Sequence, residues 1–217
     1  MPVVPAETTL TYSGEEQTVL TVPEGADTYY TVSGEDKATD VGEYTITLRL
    51  NEGYVWPDGT ESDKWKIQPM KVKAPAAVPG LIYNGETRTG VAAGEGYTLE
   101  GEFKAVNAGE YTAVAKLTNT ANYQWDDGTT EDKTIVWSIG EKTPAVSDFA
   151  VTYPRSEDLV YNGNAKEVTA ELSDSYPAQD ITLTVVYTNA DGIAVEEPTN
   201  AGTYTVKLCV SGSRNFA

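Results

Sequence analysis

One phrase that occurs three times in this chain limits what the chain can fold into. A second motif, one or two apolar residues followed by Tyr-x-Gly, precedes each copy. The distance between copies is that of small domains and is longer than the period of solenoid repeats. The sequence therefore predicts three related modules. The phrase reads DVGEYTITLRL (40–50), NAGEYTAVAKL (107–117) and NAGTYTVKLCV (200–210).

The repeated phrase alternates apolar and polar side chains. In the first copy Tyr44, Ile46, Leu48 and Leu50 share one face, and threonine and arginine occupy the other. Strict alternation is typical of a β-strand with one buried face and one face in water. No long stretch has the spacing of an amphipathic helix. The expected fold class is therefore all-β.

A third motif follows the repeated phrase in the first two copies. It reads GYVWPDGTESDKWKI in the first and NYQWDDGTTEDKTIVWSI in the second. The third copy reaches only RNFA, so we expect a truncated module whose last strand is missing or lies beyond this fragment. Proline-containing segments separate the copies and predict extended, semi-rigid linkers. These observations predict modules arranged end to end. The expected boundaries are 7–68 for module one, 78–140 for module two and 146–217 for module three.

The motif Asp/Asn-x-Gly-x-Tyr at a strand entry resembles the tyrosine corner of immunoglobulin-type sandwiches, in which the hydroxyl bonds to upstream backbone. Together with Tyr-x-Gly and Trp-x-Asp-Gly-Thr, it resembles the bacterial Ig-like modules of large Gram-positive surface proteins. The resemblance implies tandem β-sandwiches, export, cell-wall display and no enzyme activity. The residues expected to carry this fold are Tyr12, Gly14, Gly42, Tyr44, Tyr83, Gly85, Gly109, Tyr111, Tyr161, Gly163, Gly202 and Tyr204.

The charge and composition of the chain limit the classes of partner that we expect it to bind. The 33 acidic residues outnumber the 15 basic ones, for a net charge of -18. Such a surface repels phosphate backbones and anionic membranes, so nucleic acid and lipid are not expected partners. The single cysteine, Cys209, excludes an intrachain disulfide. No apolar run is long enough to span a bilayer, and the first residues do not resemble a signal peptide. We expect a monomeric fragment of a larger, exported protein.

An acidic turn in the second copy is a candidate calcium site. Asp126, Asp127, Glu131 and Asp132 lie close together in sequence, and calcium prefers oxygen ligands. The spacing matches no calcium motif, whereas Asp-Gly between apolar strands is typical of a hairpin turn. The turn is the favoured interpretation, and no cofactor is expected.

Two tryptophans beside the Asp-Gly turns are candidate ligand contacts. Trp56 and Trp125 could bind a glycan or a protein if their rings were exposed. Trp65 and Trp137 alternate in step with isoleucines and are expected in the core. Packing is the favoured interpretation for all four rings, because large aromatic side chains are mostly buried.

Catalysis has no support in the sequence. The chain has no histidine, no Gly-x-Ser-x-Gly elbow and no phosphate-binding loop. The expected function is a non-catalytic spacer or display stalk of a bacterial cell-surface protein. The alternative is an adhesin that binds host glycan or extracellular protein through loops at the sandwich ends.

Overall fold

The computed structural model describes residues 8–55, 62–176 and 181–217. Within these ranges the chain is all-β, with short strands in several sheets and three short 3₁₀ helices. Cys209 is a free thiol. The predicted disulfide-free, all-β fold is confirmed, and it is consistent with a β-sandwich. No helix in the described ranges has the length and apolarity needed to cross a membrane.

The first repeat forms one four-stranded sheet and one small strand pair. The sheet order is β1-β6-β5-β3, and β2 pairs with β4. In this sheet β6 is antiparallel to β5 and parallel to β1. The strands are β1 (Thr9–Thr11), β2 (Gln17–Thr18), β3 (Tyr30–Gly34), β4 (Lys37–Ala38), β5 (Gly42–Leu50) and β6 (Ser62–Gln68), with a 3₁₀ helix at Ala26–Thr28.

The second repeat has the same sheet plan. Its four-stranded sheet has the order β10-β12-β14-β8, and β11 pairs with β9. A linker strand, β7, pairs in parallel with β13. The strands are β7 (Met70–Val72), β8 (Leu81–Ile82), β9 (Arg88–Thr89), β10 (Tyr97–Gly101), β11 (Lys104–Ala105), β12 (Gly109–Leu117), β13 (Tyr123–Trp125) and β14 (Lys133–Gly140).

The third repeat is built differently. Its described strands form a two-stranded sheet, β15-β16, and a three-stranded sheet, β18-β17-β19. Strands β17 and β18 are antiparallel and form a hairpin around 190–192. The strands are β15 (Phe149–Thr152), β16 (Thr169–Leu172), β17 (Thr182–Thr188), β18 (Ala194–Val195) and β19 (Thr205–Ser211), with 3₁₀ helices at Val146–Asp148 and Ser156–Leu159.

The Tyr-x-Gly segment of this repeat differs from its two counterparts. The segment at 159–161 corresponds to β1 and β8, yet it forms no strand, and its three side chains are exposed. Tyr161 is 63% exposed, whereas its counterpart Tyr83 is 1% exposed. Tyr161 therefore lies outside the core, unlike Tyr83. The physical reason is that β1 pairs with β6 and β8 pairs with β14, whereas no described strand pairs with 159–161.

The alternation of apolar and polar residues in the repeated phrase produces strands with one face turned to the core, as predicted. Ile46 and Leu48 of β5 are buried, as are Tyr111, Ala113 and Ala115 of β12. The same face of β19 is only half-buried. Around β5 the core holds Trp65 and Ile67 of β6, together with Leu20, Ala26 and Tyr30.

The chain divides into two compact units by its internal contacts. One comprises Met1–Pro75, Ala93–Glu100 and Val114–Thr134, and the other comprises Ala76–Ala92, Gly101–Ala113 and Ile135–Ala217. Each unit draws residues from two successive sequence repeats. The module boundaries at 7–68, 78–140 and 146–217 follow the repeats in the sequence and stay predictions.

Candidate functional site

Three tyrosine corners are the most regular feature of the structure. The hydroxyl of Tyr44 donates a 2.7 Å hydrogen bond to the carbonyl oxygen of Asp40, four residues upstream. Tyr111 does the same to Asn107 at 2.6 Å, and Tyr204 to Asn200 at 2.7 Å. The bond predicted from the Asp/Asn-x-Gly-x-Tyr motif is thus present in all three copies. It fixes the loop that enters each strand.

The glycines of the two motifs differ in what they do. In Tyr-x-Gly, Gly14, Gly85 and Gly163 have φ between 81° and 83°, a conformation that favours glycine. In the corner motif, neither Gly42 nor Gly202 has a positive φ. These two glycines are therefore not required for a left-handed backbone conformation. At Gly42 the constraint is space, because an added Cβ would lie 3.1 Å from the Tyr44 hydroxyl.

A buried asparagine engages the first corner. The Val41 amide donates a 3.0 Å hydrogen bond to Asn122 Oδ1, and Asn122 Nδ2 donates one of 2.8 Å to Asp40 Oδ1. The Met70 amide donates to the Asn122 carbonyl oxygen at 2.9 Å. Asn122 is 3% exposed. One side chain from the second repeat thereby satisfies two polar groups of the first repeat's corner and links them to the linker strand β7.

The second corner has the same arrangement. The Ala108 amide donates a 2.7 Å hydrogen bond to Asn215 Oδ1, and Asn215 Nδ2 donates one of 3.2 Å to Asn107 Oδ1. The Lys142 amide donates to the Asn215 carbonyl oxygen at 2.8 Å. Asn215 is 2% exposed. We call these two arrangements the asparagine clasps: Asn122 on 40–41, and Asn215 on 107–108.

An aromatic ring follows each clasp asparagine. Tyr123 meets Tyr12 edge to face, with ring centroids 5.3 Å apart and an interplanar angle of 81°. Phe216 meets Tyr83 in the same way, at 5.6 Å and 78°. Edge-to-face pairs stabilise a contact beyond the area they bury. The Tyr-x-Gly tyrosine of one repeat is thus the partner of the ring that follows the clasp asparagine of the next.

The second clasp is reinforced by an ion pair. The Lys142 ammonium contacts the carboxylate of Asp148, which also accepts hydrogen bonds from the Tyr176 hydroxyl at 2.7 Å and the Ala145 amide at 2.8 Å. Asp148 is 5% exposed. Burial disfavours its ionisation, but these donors outweigh burial and hold the pKa of Asp148 below its usual value. The Lys142 ammonium lies 5.8 Å from the centre of the Phe216 ring.

Arg214 adds a contact at the same corner. Its Nε donates a 2.7 Å hydrogen bond to the Ala108 carbonyl oxygen, and its Nη2 lies 3.4 Å from the Tyr111 hydroxyl. Both partners belong to the second repeat, and Arg214 belongs to the third. The charge-assisted bond is stronger than a neutral one. It stabilises the position of Asn215, the next residue in the chain.

The sequence prediction did not identify the clasps. The available signal was an asparagine before an aromatic residue, Asn122-Tyr123 and Asn215-Phe216, just after the corner strand. The first repeat has Gly53-Tyr54 at this place, and glycine has no side chain that could form the bonds. Nothing in the sequence says which distant backbone amide an asparagine will reach.

The candidate ligand contact Trp125 is a core residue. Its side chain is 0% exposed, and its indole N–H donates a 2.8 Å hydrogen bond to the Glu131 carbonyl oxygen. A fully buried ring has no face to offer a glycan, so the packing interpretation accounts for it. Trp65 and Trp137 are also buried, as expected. Trp56 lies outside the described residues.

The acidic turn is a hairpin turn held by its own donors. The Trp125 amide donates to the Thr129 carbonyl oxygen at 2.8 Å, and Gly128 has φ of 84°. Asp127 accepts hydrogen bonds from Lys133 at 2.7 Å and from the Thr129 hydroxyl at 2.6 Å, which hold the pKa of Asp127 well below its usual range. Asp132 lies 3.7 Å from the Lys116 ammonium. Within the described ranges, no three acidic side chains are grouped as a metal site.

Comparison with known families adds one finding. Residues 150–216 match the model of the MBG domain, a domain found in bacterial surface proteins. The match covers the third repeat and less than a third of the chain. No curated protein matches the chain.

Proposed function

We propose that this chain is a non-catalytic spacer and display segment of a bacterial cell-surface protein. The asparagine clasps are the observation that carries the proposal. A spacer must transmit position along the chain, and so its successive repeats must not pivot freely. A buried side chain with both polar atoms bonded, beside an edge-to-face ring pair, resists pivoting.

The clasps use interactions that are costly to break. If Asn122 withdraws, the Val41 amide loses its partner, and an unsatisfied buried donor costs about 1–3 kcal/mol. The linker strand β7 is paired with β13 and is not a free tether. Together these contacts favour a segment whose neighbouring repeats keep a fixed geometry.

Two further observations support the same proposal. The MBG-domain match at 150–216 supports a surface protein. The net charge of -18 keeps acidic segments soluble and apart from one another. We propose an extracellular, cell-wall location and a monomeric state on this basis.

The competing function is that of an adhesin for host glycan or extracellular protein. No specific observation favours it: Trp125 is buried, and the carboxylate of Asp127 is occupied by Lys133 and Thr129. We therefore propose the spacer alone.

A binding screen tests the proposal. The purified chain is applied to a glycan array, immobilised mucin and matrix proteins, with and without calcium. The proposal expects no saturable binding from folded protein. Saturable binding that Trp56→Ala abolishes, without a change in melting temperature, would replace the spacer with the adhesin. Binding that survives this variant would also contradict a pure spacer and would place the contact elsewhere.

A further inference from the structure

In each of the first two repeats, the strand on which the chain enters and the strand on which it leaves are neighbours and run in the same direction. In the first repeat, β1 is parallel to β6, with Leu10 level with Ile67. In the second repeat, β8 is parallel to β14, with Leu81 level with Ile139. We call β1 with β6, and β8 with β14, the terminal pairs. Tension along the chain acts directly on both of them.

The parallel direction determines how tension loads a terminal pair. Tension pulls the entering strand toward its own N-terminal end and the leaving strand toward its own C-terminal end. In parallel strands these two directions are opposite along one shared axis. The strands are therefore sheared, and all the hydrogen bonds between them are loaded together. In a pair that is pulled apart from one end, the bonds break one after another.

The first terminal pair is bonded from its entry to its exit. The Lys66 amide donates a 3.0 Å hydrogen bond to the Thr8 carbonyl oxygen, and the Tyr12 amide donates one of 2.9 Å to the Gln68 carbonyl oxygen. The stretch from 8 to 12 covers about 13 Å along the strand, whereas paired strands lie only about 4.8 Å apart. A force between the entry and the exit therefore acts mainly along the strands.

The second terminal pair is held in a similar way. The Tyr83 amide donates a 2.9 Å hydrogen bond to the Gly140 carbonyl oxygen, beside the exit of the chain. Before β8, the Val78 amide donates one of 2.8 Å to the Gly90 carbonyl oxygen. Tyr83 is 1% exposed. Sliding of β8 along β14 would therefore also drag a buried ring out of the core, which costs hydrophobic free energy.

The linker strand β7 continues this arrangement between the two terminal pairs. It is parallel to β13. The Met70 amide donates to the Asn122 carbonyl oxygen, and the Asp126 amide donates to the Val72 carbonyl oxygen, both at 2.9 Å. These bonds lie at the two ends of β7. The linker thus transmits tension through a paired strand.

We propose that the first two repeats bear tension along the chain and that the terminal pairs are the elements that resist it. A terminal pair must slide before its repeat can unfold from the ends. Resistance to force is then set by the rate of unfolding and not by equilibrium stability. The biological meaning of this inference rests on the proposed spacer function, because a display stalk that is held at one end and pulled at the other is under tension.

Force spectroscopy of single molecules in two directions tests the second terminal pair. The full chain carries Cys209→Ser and handles on two cysteines introduced at exposed positions. Handles at Ala76 and Glu141 lie before and after the pair and shear it. Handles at Glu86 and Glu141 lie beyond the same end of the pair and peel β14 from β8. At one loading rate, we expect the mean rupture force in the shearing direction to be at least twice that in the peeling direction.

A pair of variants tests the first terminal pair. Handles at Thr9 and Glu141 place both repeats in series. Tyr12→Pro removes the amide that donates to Gln68, whereas Tyr12→Ala loses the same ring and keeps the amide. Because β1 is an edge strand, proline there breaks no bond to a second neighbour. We expect the lower of the two rupture forces to fall by at least a third in Tyr12→Pro relative to Tyr12→Ala.

Two outcomes would overturn the proposal. One is an equal rupture force in the shearing and peeling directions, and the other is an equal lower force in the two Tyr12 variants. The comparison of directions changes no residue of a terminal pair, so it decides the question even where Tyr12→Pro does not fold. The binding screen is independent of both. Saturable binding there would remove the pure spacer and leave the terminal pairs, whereas equal forces would remove the tension-bearing role and leave the spacer.

Discussion

At the scale of residues, the account depends on a few polar side chains that are buried with their hydrogen bonds complete. Asn122 and Asn215 each connect a corner amide to a corner side chain. The side chain that each clasp asparagine faces differs: Asn122 faces the carboxylate of Asp40, whereas Asn215 faces the amide of Asn107. Because of this difference, the same substitution has different expected effects on stability at Asn122 and at Asn215.

The first prediction compares Asn122→Asp with Asn215→Asp. A carboxylate at 122 would face Asp40 at hydrogen-bonding distance, and two like charges this close repel. A carboxylate at 215 can accept a hydrogen bond from Asn107 after that amide rotates. Urea denaturation at pH 7 should show that Asn122→Asp lowers the free energy of unfolding by at least about 2 kcal/mol more than Asn215→Asp does. Equal losses would contradict the assigned contacts.

The second prediction concerns the tyrosine corners. Tyr111→Phe removes the 2.6 Å bond to Asn107 at a part-buried site, whereas Tyr204→Phe removes the matching bond at an exposed site. A hydrogen bond that water can replace contributes less to stability. We expect a loss of about 1 kcal/mol for Tyr111→Phe and a smaller loss for Tyr204→Phe. Thermal unfolding of both variants measures the order, and the reverse order would refute it.

The residues show what sequence can predict and where it stops. The corner bonds follow from a local motif, since donor and acceptor lie four residues apart. The Asn122 clasp joins residues 81 apart in sequence, and no local pattern encodes which amide the side chain reaches. Burial of Trp65 and Trp137 was predictable from alternation. Trp125 lay beside a turn, where alternation gives no direction, and only the fold shows that its ring is buried.

At the scale of elements, strands β6 and β14 and the linker that follows β14 determine how the repeats are held. The packing around β14 is tight, because a Cβ added to Gly90 would lie 1.9 Å from the Trp137 ring. The linker after β14 carries Lys142, which pairs with Asp148. The strand pattern of the first two repeats was predictable because their phrases alternate strictly. The different third repeat was not, because the loss of pairing at 159–161 depends on a neighbouring strand.

The third prediction uses two glycines. Gly90→Ala drives a methyl group into the buried ring of Trp137, and overpacking of this kind costs about 1–3 kcal/mol. Gly202→Ala is the control, because its Cβ would meet nothing within 4 Å and its φ is not positive. Denaturant titration should show the loss for Gly90→Ala and almost none for Gly202→Ala. A large loss at Gly202 would restore that glycine to the role expected from sequence.

The fourth prediction is a pH dependence at the Lys142–Asp148 pair. The folded pKa of Asp148 lies below the unfolded value of about 3.9. Its ionised form therefore stabilises the fold above that pH, and this contribution is lost as the pH falls through the folded pKa. Asp148→Asn should cost about 3 kcal/mol at pH 7, and the difference from the native chain should shrink at more acidic pH.

The same measurement has an internal control. Acidification also neutralises other carboxylates of this acidic chain, but it does so in both proteins, so the difference between the two free energies isolates Asp148. Urea denaturation at pH 7, 4 and 2.5 provides that difference. A value that does not change with pH would show that the carboxylate charge of Asp148 does not stabilise the fold.

At the scale of the whole molecule, the first two repeats share one sheet plan, and the same asparagine clasp occurs at two successive corners. The all-β class and the repeats were predictable from periodicity alone. The boundaries between modules were not settled by the fold, because each compact unit combines residues of two repeats. The interlocking of repeats through Asn122 and Asn215 is the property that a spacer needs, and it is the central claim.

The most direct test measures distances across the first clasp by electron paramagnetic resonance. Spin labels are placed at exposed Ser33 and Thr130, with Cys209 replaced by serine, in the native sequence and in Asn122→Ala. Asn164→Ala is the control, because Asn164 is exposed and lies outside both clasps. We predict a narrow distance distribution in the native chain and the control, and a broad one in Asn122→Ala. A broad distribution in the native chain, or none of the expected broadening in the variant, would contradict the claim that the clasp holds successive repeats in a fixed geometry.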